Sequence, residues 1–292
     1  MNFAVFATGY KGVCFLEKLG LKPLFVVSYD NKETKDRHNY YKIIDWCNHN
    51  DVEFFKKRDL VKLNKKIKSV EKIFVVGWQY LIKDNLEKLV VFHDSYLPER
   101  RGFSPTLSAL LEKSQYLGAS CFEPEKTLTI EPDYGKIYYR EKSSITYPIK
   151  LKNAFDKVVD MYVGMAHNLL EHNPESKMIN YDNSSFSLWR DKEDLRINWK
   201  KSSSEIEQKV FSLGYPYAGA TSIYGDKIIH IKEIERLNNI NFTNQDDNYG
   251  KIWKIECGHP FVICRDGVIK VVDAVDEEGN KVVFNRLRRR FK

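Results

Sequence analysis

The sequence predicts an α/β protein: a doubly wound, mostly parallel sheet followed by a small β domain. Three observations carry this. In the first half, short apolar runs alternate with amphipathic helical segments, the pattern of a parallel sheet with crossover helices. Beyond the middle of the chain, five short strand patterns follow at close spacing with glycines between them, as in a small closed or sandwiched β domain. Finally, 292 residues exceed one ordinary core, so two domains are expected.

Taken in order, Phe3–Ala7 reads as a buried strand ending at Thr8 and Gly9, with Val13–Leu19 as a helix. Lys22–Ser28 is a second strand, and Tyr40–His49 is helical, with Ile43, Ile44 and Cys47 on one face. The lysines of Lys62–Lys72 fall between apolar residues at helical spacing, as on a solvated helix face. Lys72–Gly77 is a third buried strand, Trp78–Ile82 a short helix, and Leu89–Phe92 the end of a further strand. Thr106–Leu111 opens a helix, Lys136–Arg140 is a strand, and Ile149–Leu170 is a long amphipathic helix with His167 and His172 near its end. Ser202–Gly214 carries Ser/Glu capping signals. Ala220–Ile223, Lys227–Ile234, Lys251–Ile255, Phe261–Cys264 and Val268–Val275 complete the strands. The expected division is residues 1–189, a linker at 190–202, and a β domain at 203–292.

Composition narrows the class. A hydrophobic fraction of 42% with 30% charged residues describes a globular chain, and no apolar run approaches the roughly 18 residues needed to span a bilayer. The start has no basic leader or cleavage signal, so a cytoplasmic location is expected. Five cysteines, Cys14, Cys47, Cys121, Cys257 and Cys264, are scattered without metal-ligand spacing. His259 is too close to Cys257 for a zinc site, and reduced, partly buried thiols are expected. The basic tail Asn285–Lys292 reads as a solubilising terminus, with contact to phosphates or acidic lipid as the alternative.

The chemistry centres on residues 93–105, which begin with His93 at the carboxyl end of an apolar strand, where open α/β sheets place their reactions. A Pro-, Arg- and Gly-rich turn follows, and forty positions beyond His93 comes Asp133, beside Gly135. A His and an Asp brought together at strand ends make a proton-transfer pair. Gly9 to Gly12 follows a strand but lacks the dinucleotide fingerprint, and Asp30 is the only acidic candidate after the second strand. A nicotinamide cofactor is therefore not expected. Gly9, Tyr10 and Lys11, at a helix N-terminus, are instead expected to meet a polar or anionic substrate.

The order His93, Ser95, Tyr96, Leu97, Pro98, Arg101, Gly102, then Asp133 and Gly135, resembles the folate-dependent formyltransferase family. Its usual pattern is Asn-x-His-x-Ser-Leu-Leu-Pro-x-x-Arg-Gly with a downstream Asp-x-Gly. Arg190–Trp199 is similar to that family's linker, Tyr215–Ala220 to the opening of its C-terminal domain, and Gly258–Gly267 to a later strand pair. The resemblance implies a Rossmann-like catalytic domain, an OB-like β domain and 10-formyltetrahydrofolate as formyl donor. It implies His93 and Asp133 as the catalytic pair. Gly77, Trp78, Gln79, Tyr80 and Leu81, with Ser95, Tyr96, Leu97, Pro98 and Gly102, would line the folate pocket, and Arg101 would join Gly9–Lys11 at the acceptor. An apolar and aromatic wall suits a flat pterin.

Two departures stand out. The family's Asn, two residues before the histidine, is Val91 here, which offers no oxyanion donor; loss of such a donor costs roughly 3–4 kcal/mol. Gln79 or a bound water are the candidate replacements. The segment from Gly118 to Asp133 is also longer than expected, which makes Glu131 a competitor for the Asp133 role. The acceptor implied is a nucleotide-linked aminosugar, as in the aminoarabinose lipid-modification branch, with initiator methionyl-tRNA as the alternative. A net charge of +7 and a short, mixed-sign segment after the second strand fit a tRNA body poorly. A non-catalytic binding protein on the same scaffold is a third reading, and a homodimer is compatible with the resemblance.

Overall fold

A computed structural model describes residues 1–29, 39–79, 82, 85–125, 131–238 and 240–292. These residues form two compact units. The first comprises Met1–Thr106, Tyr116–Ser144 and Phe155–Leu188, and the second Leu107–Gln115, Ile145–Ala154 and Trp189–Lys292.

The first unit is built on a seven-stranded sheet of order β3-β2-β1-β4-β5-β7-β8. Its strands are β1 (Phe3–Ala7), β2 (Phe25–Ser28), β3 (Glu53–Lys56), β4 (Lys72–Val76), β5 (Leu89–His93), β7 (Tyr116–Pro124) and β8 (Gly135–Ser144). The first five pair in parallel, and β7 and β8 add antiparallel strands beside β5. The central strands are continuous apolar runs because both sheet faces are covered. One face packs Ala4, Phe6, Val27, Ile73, Val75 and Leu89 into a cluster. An aromatic chain also runs through this unit, with Phe74 to Phe92 at 5.5 Å and Phe92 to Tyr162 at 5.2 Å between ring centroids. The unit's helices are α1 (Gly9–Leu19), α2 (Tyr40–His49) and α3 (Asn64–Ser69), the start of α4 (Pro105–Leu111), and most of α5 (Leu151–His172).

Since β1 has β2 on one side and β4 on the other, the chain reverses its direction of travel across the sheet at that point. A crevice at the strand carboxyl ends follows from such a switch. Gly77 closes it: its φ is +69°, and a Cβ there would lie 2.5 Å from the Thr8 carbonyl oxygen.

Several expectations are corrected. Trp78, Gln79 and Ile82 lie outside any helix. The Trp78 ring instead packs in a tilted arrangement on Tyr29 at 4.4 Å and on Phe6 at 5.5 Å between ring centroids. Helix α1 begins at Gly9 rather than Val13. Strands β3 and β7 carry no signal of their own in the reading above. The first is four residues of mixed polarity at the sheet edge, and the second mixes Gly, Ala and Ser into its run.

The second unit holds a five-stranded antiparallel sheet of order β10-β11-β14-β13-β12. The strands are β10 (Ala220–Tyr224), β11 (Lys227–Asn238), β12 (Ile252–Glu256), β13 (His259–Cys264) and β14 (Gly267–Asp276). Its core joins Ile206, Val210 and Leu213 of α6 (Ser203–Leu213) to inward residues of that sheet. Ile197 and Trp199, from the stretch expected as a linker, belong to this core, with Trp199 Nε1 donating to Ser222 Oγ at 3.0 Å. The basic tail is anchored at one residue: Phe291 is 2% exposed and meets Trp199 at 5.3 Å, while Arg286, Arg288 and Arg290 remain exposed.

Helix α6 starts with a capping box: Glu205 N–H donates to Ser202 Oγ, and Ser202 N–H donates back to Glu205 Oε2 at 3.0 Å. The Ser202 hydroxyl and amide, with Lys201, hold the Glu205 carboxyl down at about 2 against an ordinary 4.5. A carboxyl lowered on folding stabilises above its unfolded value and loses that contribution as pH falls through the folded one. Ser202→Ala is therefore expected to cost about 1 kcal/mol at neutral pH. The difference from the parent should shrink between pH 4.5 and pH 2, as read by urea denaturation.

Among the described residues, no helix is long and apolar enough to cross a membrane.

Candidate active site

Strand β5 delivers His93 to the strand-end crevice, 6% exposed. Its Nδ1 lies 3.5 Å from Asp133 Oδ2, and its Nε2 lies 3.1 Å from the Arg100 carbonyl oxygen. Each ring nitrogen thus faces an acceptor, and a neutral tautomer satisfies one of them while the imidazolium satisfies both. The Asp133 contact is longer than a hydrogen bond, which leaves space for a reacting group to draw the two together.

Asp133 sits at φ +49°, a left-handed conformation that Asp tolerates better than most residues. The two-stranded ladder of β6 (Arg101–Gly102) and β9 (Phe186–Ser187) supports it. Gly102 N–H donates to Asp133 Oδ2 at 2.7 Å. Arg101 Nε donates to the Pro132 carbonyl at 2.8 Å, and its Nη2 pairs with Glu131 at 2.9 Å. Glu131 is therefore committed to Arg101, and Asp133 is the carboxylate that faces His93.

Gly102 has φ +99°, and a Cβ there would meet the Ser187 carbonyl at 2.7 Å. Gly102→Ala is expected to cost about 1–3 kcal/mol through strain at this position. It should also lower activity by displacing the amide that holds Asp133. Thermal unfolding and kcat, measured on the same preparation, check both.

The other expected site residues fall into three groups. Ser95, Tyr96, Leu97 and Pro98 form the turn after β5. Ser95 Oγ donates to the Glu99 carbonyl at 2.5 Å, Ser120 Oγ accepts from Leu97 N–H at 3.0 Å, and Leu97 is buried against Phe122 and Ile137. Gly77, Trp78 and Gln79 stand at the crevice, with Gln79 N–H donating to Tyr29 Oη at 3.0 Å. Tyr80, Leu81 and Asp30 lie outside the described residues.

The third group is Gly9, Tyr10, Lys11 and Arg101, expected at the acceptor. Tyr10 Oη donates to Asp156 at 2.6 Å and Lys11 Nζ to Asp94 at 2.6 Å, so both side chains are engaged inside the unit. Arg101 is 2% exposed and packs against Tyr181 and Phe186, 5.0 and 5.1 Å from their ring centroids. Its geometry is that of a hairpin support. A cavity of about 790 Å³ opens on this side, lined by Arg101, Glu131, Tyr134, Tyr181 and Phe186 among others. Neither His93 nor Asp133 lines it.

Asp94 and Thr106 are the residues that the sequence reading missed. Val91 is half-buried and packs on both neighbouring apolar clusters, so its position supplies no oxyanion donor. At the crevice, the Thr8 and Ser28 hydroxyls are buried without a hydrogen-bond partner among the described residues. Buried polar groups are normally satisfied, and these two give the crevice capacity for the polar edge of a ligand.

Fold and site together define an α/β domain with a buried histidine facing a half-buried carboxylate at the strand ends, joined in sequence to a small antiparallel β domain. Residues 190–289 match the family description "Formyl transferase, C-terminal domain". A methionyl-tRNA formyltransferase of Finegoldia magna is 28% identical over 233 residues, 76% of this chain and 69% of that protein. Two further methionyl-tRNA formyltransferases, from Dehalococcoides mccartyi strains, are matched over 46% of their own length. Residues 190–289 thus match a formyl transferase C-terminal domain, and the chain is similar over 76% of its length to a methionyl-tRNA formyltransferase.

Solved structures agree on the fold. HypX from Aquifex aeolicus superposes with a TM-score of 0.66 at 12% identity, over 97% of this chain and 46% of HypX. An N-formyltransferase from Helicobacter canadensis, solved with folinic acid and dTDP-3-aminofucose, superposes with a TM-score of 0.62 at 14% identity. That match covers 97% of this chain and all of the other (100%).

Proposed function

We propose that this protein transfers a formyl group from 10-formyltetrahydrofolate to the amine of a nucleotide-linked aminosugar. The observation that carries the reading is the His93–Asp133 pair, held at a strand-end crevice by the Gly102 amide. The donor, when bound, supplies an activated formyl carbon; Gly77, Trp78 and the Thr8 and Ser28 hydroxyls, unpartnered among the described residues, would hold it at the crevice.

In this reading the amine nitrogen bonds to the formyl carbon, and the bond from that carbon to the folate nitrogen breaks. The amine loses a proton and the leaving nitrogen gains one. Asp133 orients the imidazole at Nδ1 and accepts the proton released by the amine. His93 places its charge against the developing oxyanion and passes a proton to the leaving nitrogen. With Val91 in the usual amide position, this charge replaces one neutral donor.

The aminosugar is favoured because a net charge of +7 and a short mixed-sign segment after β2 offer little phosphate-binding surface for tRNA. The identity to methionyl-tRNA formyltransferases supports charged initiator tRNA as the second reading. Turnover with dTDP-, UDP- and GDP-linked 3-amino and 4-amino sugars, run beside methionyl-tRNA, discriminates them. Formylation of a sugar and not of tRNA is expected. Formylation of tRNA alone would transfer the activity to the second reading, and no turnover or folate binding with any acceptor would leave a binding protein.

A further inference from the structure

Next to the proposed catalytic pair lies a charged pair that the reaction does not use. Asp94 directly follows His93 and is 8% exposed. Its Oδ1 accepts from Lys11 Nζ at 2.6 Å, its Oδ2 from Thr106 Oγ1 at 2.6 Å, and Tyr162 Oη stands 3.5 Å from Oδ1. Burial works to raise the Asp94 pKa. The Lys11 ammonium, the adjacent His93 and the Thr106 hydroxyl outweigh it and hold the carboxyl well below the usual range. Lys11 Nζ also lies 5.0 Å from the Phe155 ring centroid. The first turns of α1 and α4, together with α5, therefore converge on one carboxylate at the end of β5.

Stability is a poor explanation for this arrangement, because buried ion pairs can often be replaced by well-packed apolar residues without loss. Position is a better one. On the far side of His93 from Asp94, β5 is held by its pairing with β4 and β7 and by Phe92, which packs on Phe74 and Tyr162. Beyond Asp94, Ser120 Oγ donates to the Ser95 carbonyl at 2.7 Å and fixes the following turn. Asp94 is the link between these anchors, and movement there is movement of His93 relative to Asp133.

We propose that Lys11 and Asp94, with Thr106, form a positioning assembly that fixes His93 for proton transfer. The inference rests on the formyl-transfer reading, and the unaltered protein separates the two. Without turnover in the unaltered protein, the functional reading fails before any variant is compared.

The test measures kcat, KM for both substrates and the thermal midpoint in Lys11→Met, Asp94→Asn, the double variant and Thr106→Val. Each single charge variant is expected to lose about 10- to 100-fold in kcat, with KM for the formyl donor unchanged within about twofold. The double variant recovers part of that loss, because no lone buried charge remains, but stays below the parent. Thr106→Val, which keeps both charges and the side-chain shape, should lose about three- to tenfold in kcat at unchanged KM. If the single charge variants do not fold, the double variant and Thr106→Val decide. Parental kcat in the double variant, whatever its thermal midpoint, would overturn the proposal and leave the pair a purely structural role.

Discussion

Under the proposed mechanism His93→Gln is expected to lower kcat by about 10³- to 10⁴-fold, because the substitution would remove both the proton donor and the group that faces the oxyanion. Glutamine retains a donor on the side chain, so the residue can still reach the Arg100 carbonyl, 3.1 Å from Nε2 in the parent. The turn after β5 therefore stays in place, and KM for the formyl donor changes little. The effect exceeds that of an ordinary acid–base residue because Val91 contributes no amide to share the work. A loss below about tenfold, with the parent active, would place the chemistry elsewhere.

Asp133→Asn keeps the shape of the hairpin but removes the proton acceptor. The Gly102 amide, 2.7 Å from Oδ2, still finds an acceptor in the Asn carbonyl. Support from Arg101 through Pro132 and Glu131 is untouched. The variant should therefore fold with a near-parental thermal midpoint and lose about 10²- to 10³-fold in kcat. His93→Gln and Asp133→Asn combined should lose little more than His93→Gln alone, since two residues acting on one proton are not additive. Independent, multiplying losses would mean that the two act on different steps.

Much of the fold was legible because its signals are local. β1 is apolar at every position, β4 and β5 are apolar at all but Lys72 and His93, and Ser202 with Glu205 announces the start of α6 within four residues. His93, Arg101, Gly102 and Asp133 were legible as an ordered set, and the structure brings them into one cluster. Other features depend on partners far away in the chain. Lys11 reads as an available cation at a helix N-terminus, yet its partner is 83 positions distant, and that of Tyr10 is 146 positions distant. No local pattern reports such pairs. Arg101 likewise reads as a ligand-facing guanidinium until Glu131, Tyr181 and Phe186 close around it. Trp78 was expected in a short helix, whereas it lies outside any helix with its ring packed on Tyr29, the residue after β2. The same holds at the C-terminus, where a run of arginines hides the one aromatic residue that fixes it, Phe291.

The most direct test follows amine-dependent formation of tetrahydrofolate from 10-formyltetrahydrofolate, with the acceptor product identified by mass spectrometry. Formyl transfer through the His93–Asp133 pair predicts turnover that requires a nucleotide-linked aminosugar, yields an N-formyl sugar and collapses in His93→Gln and Asp133→Asn. Turnover that persists in both variants, or no formylated product from any amine in the folded parent, would contradict it.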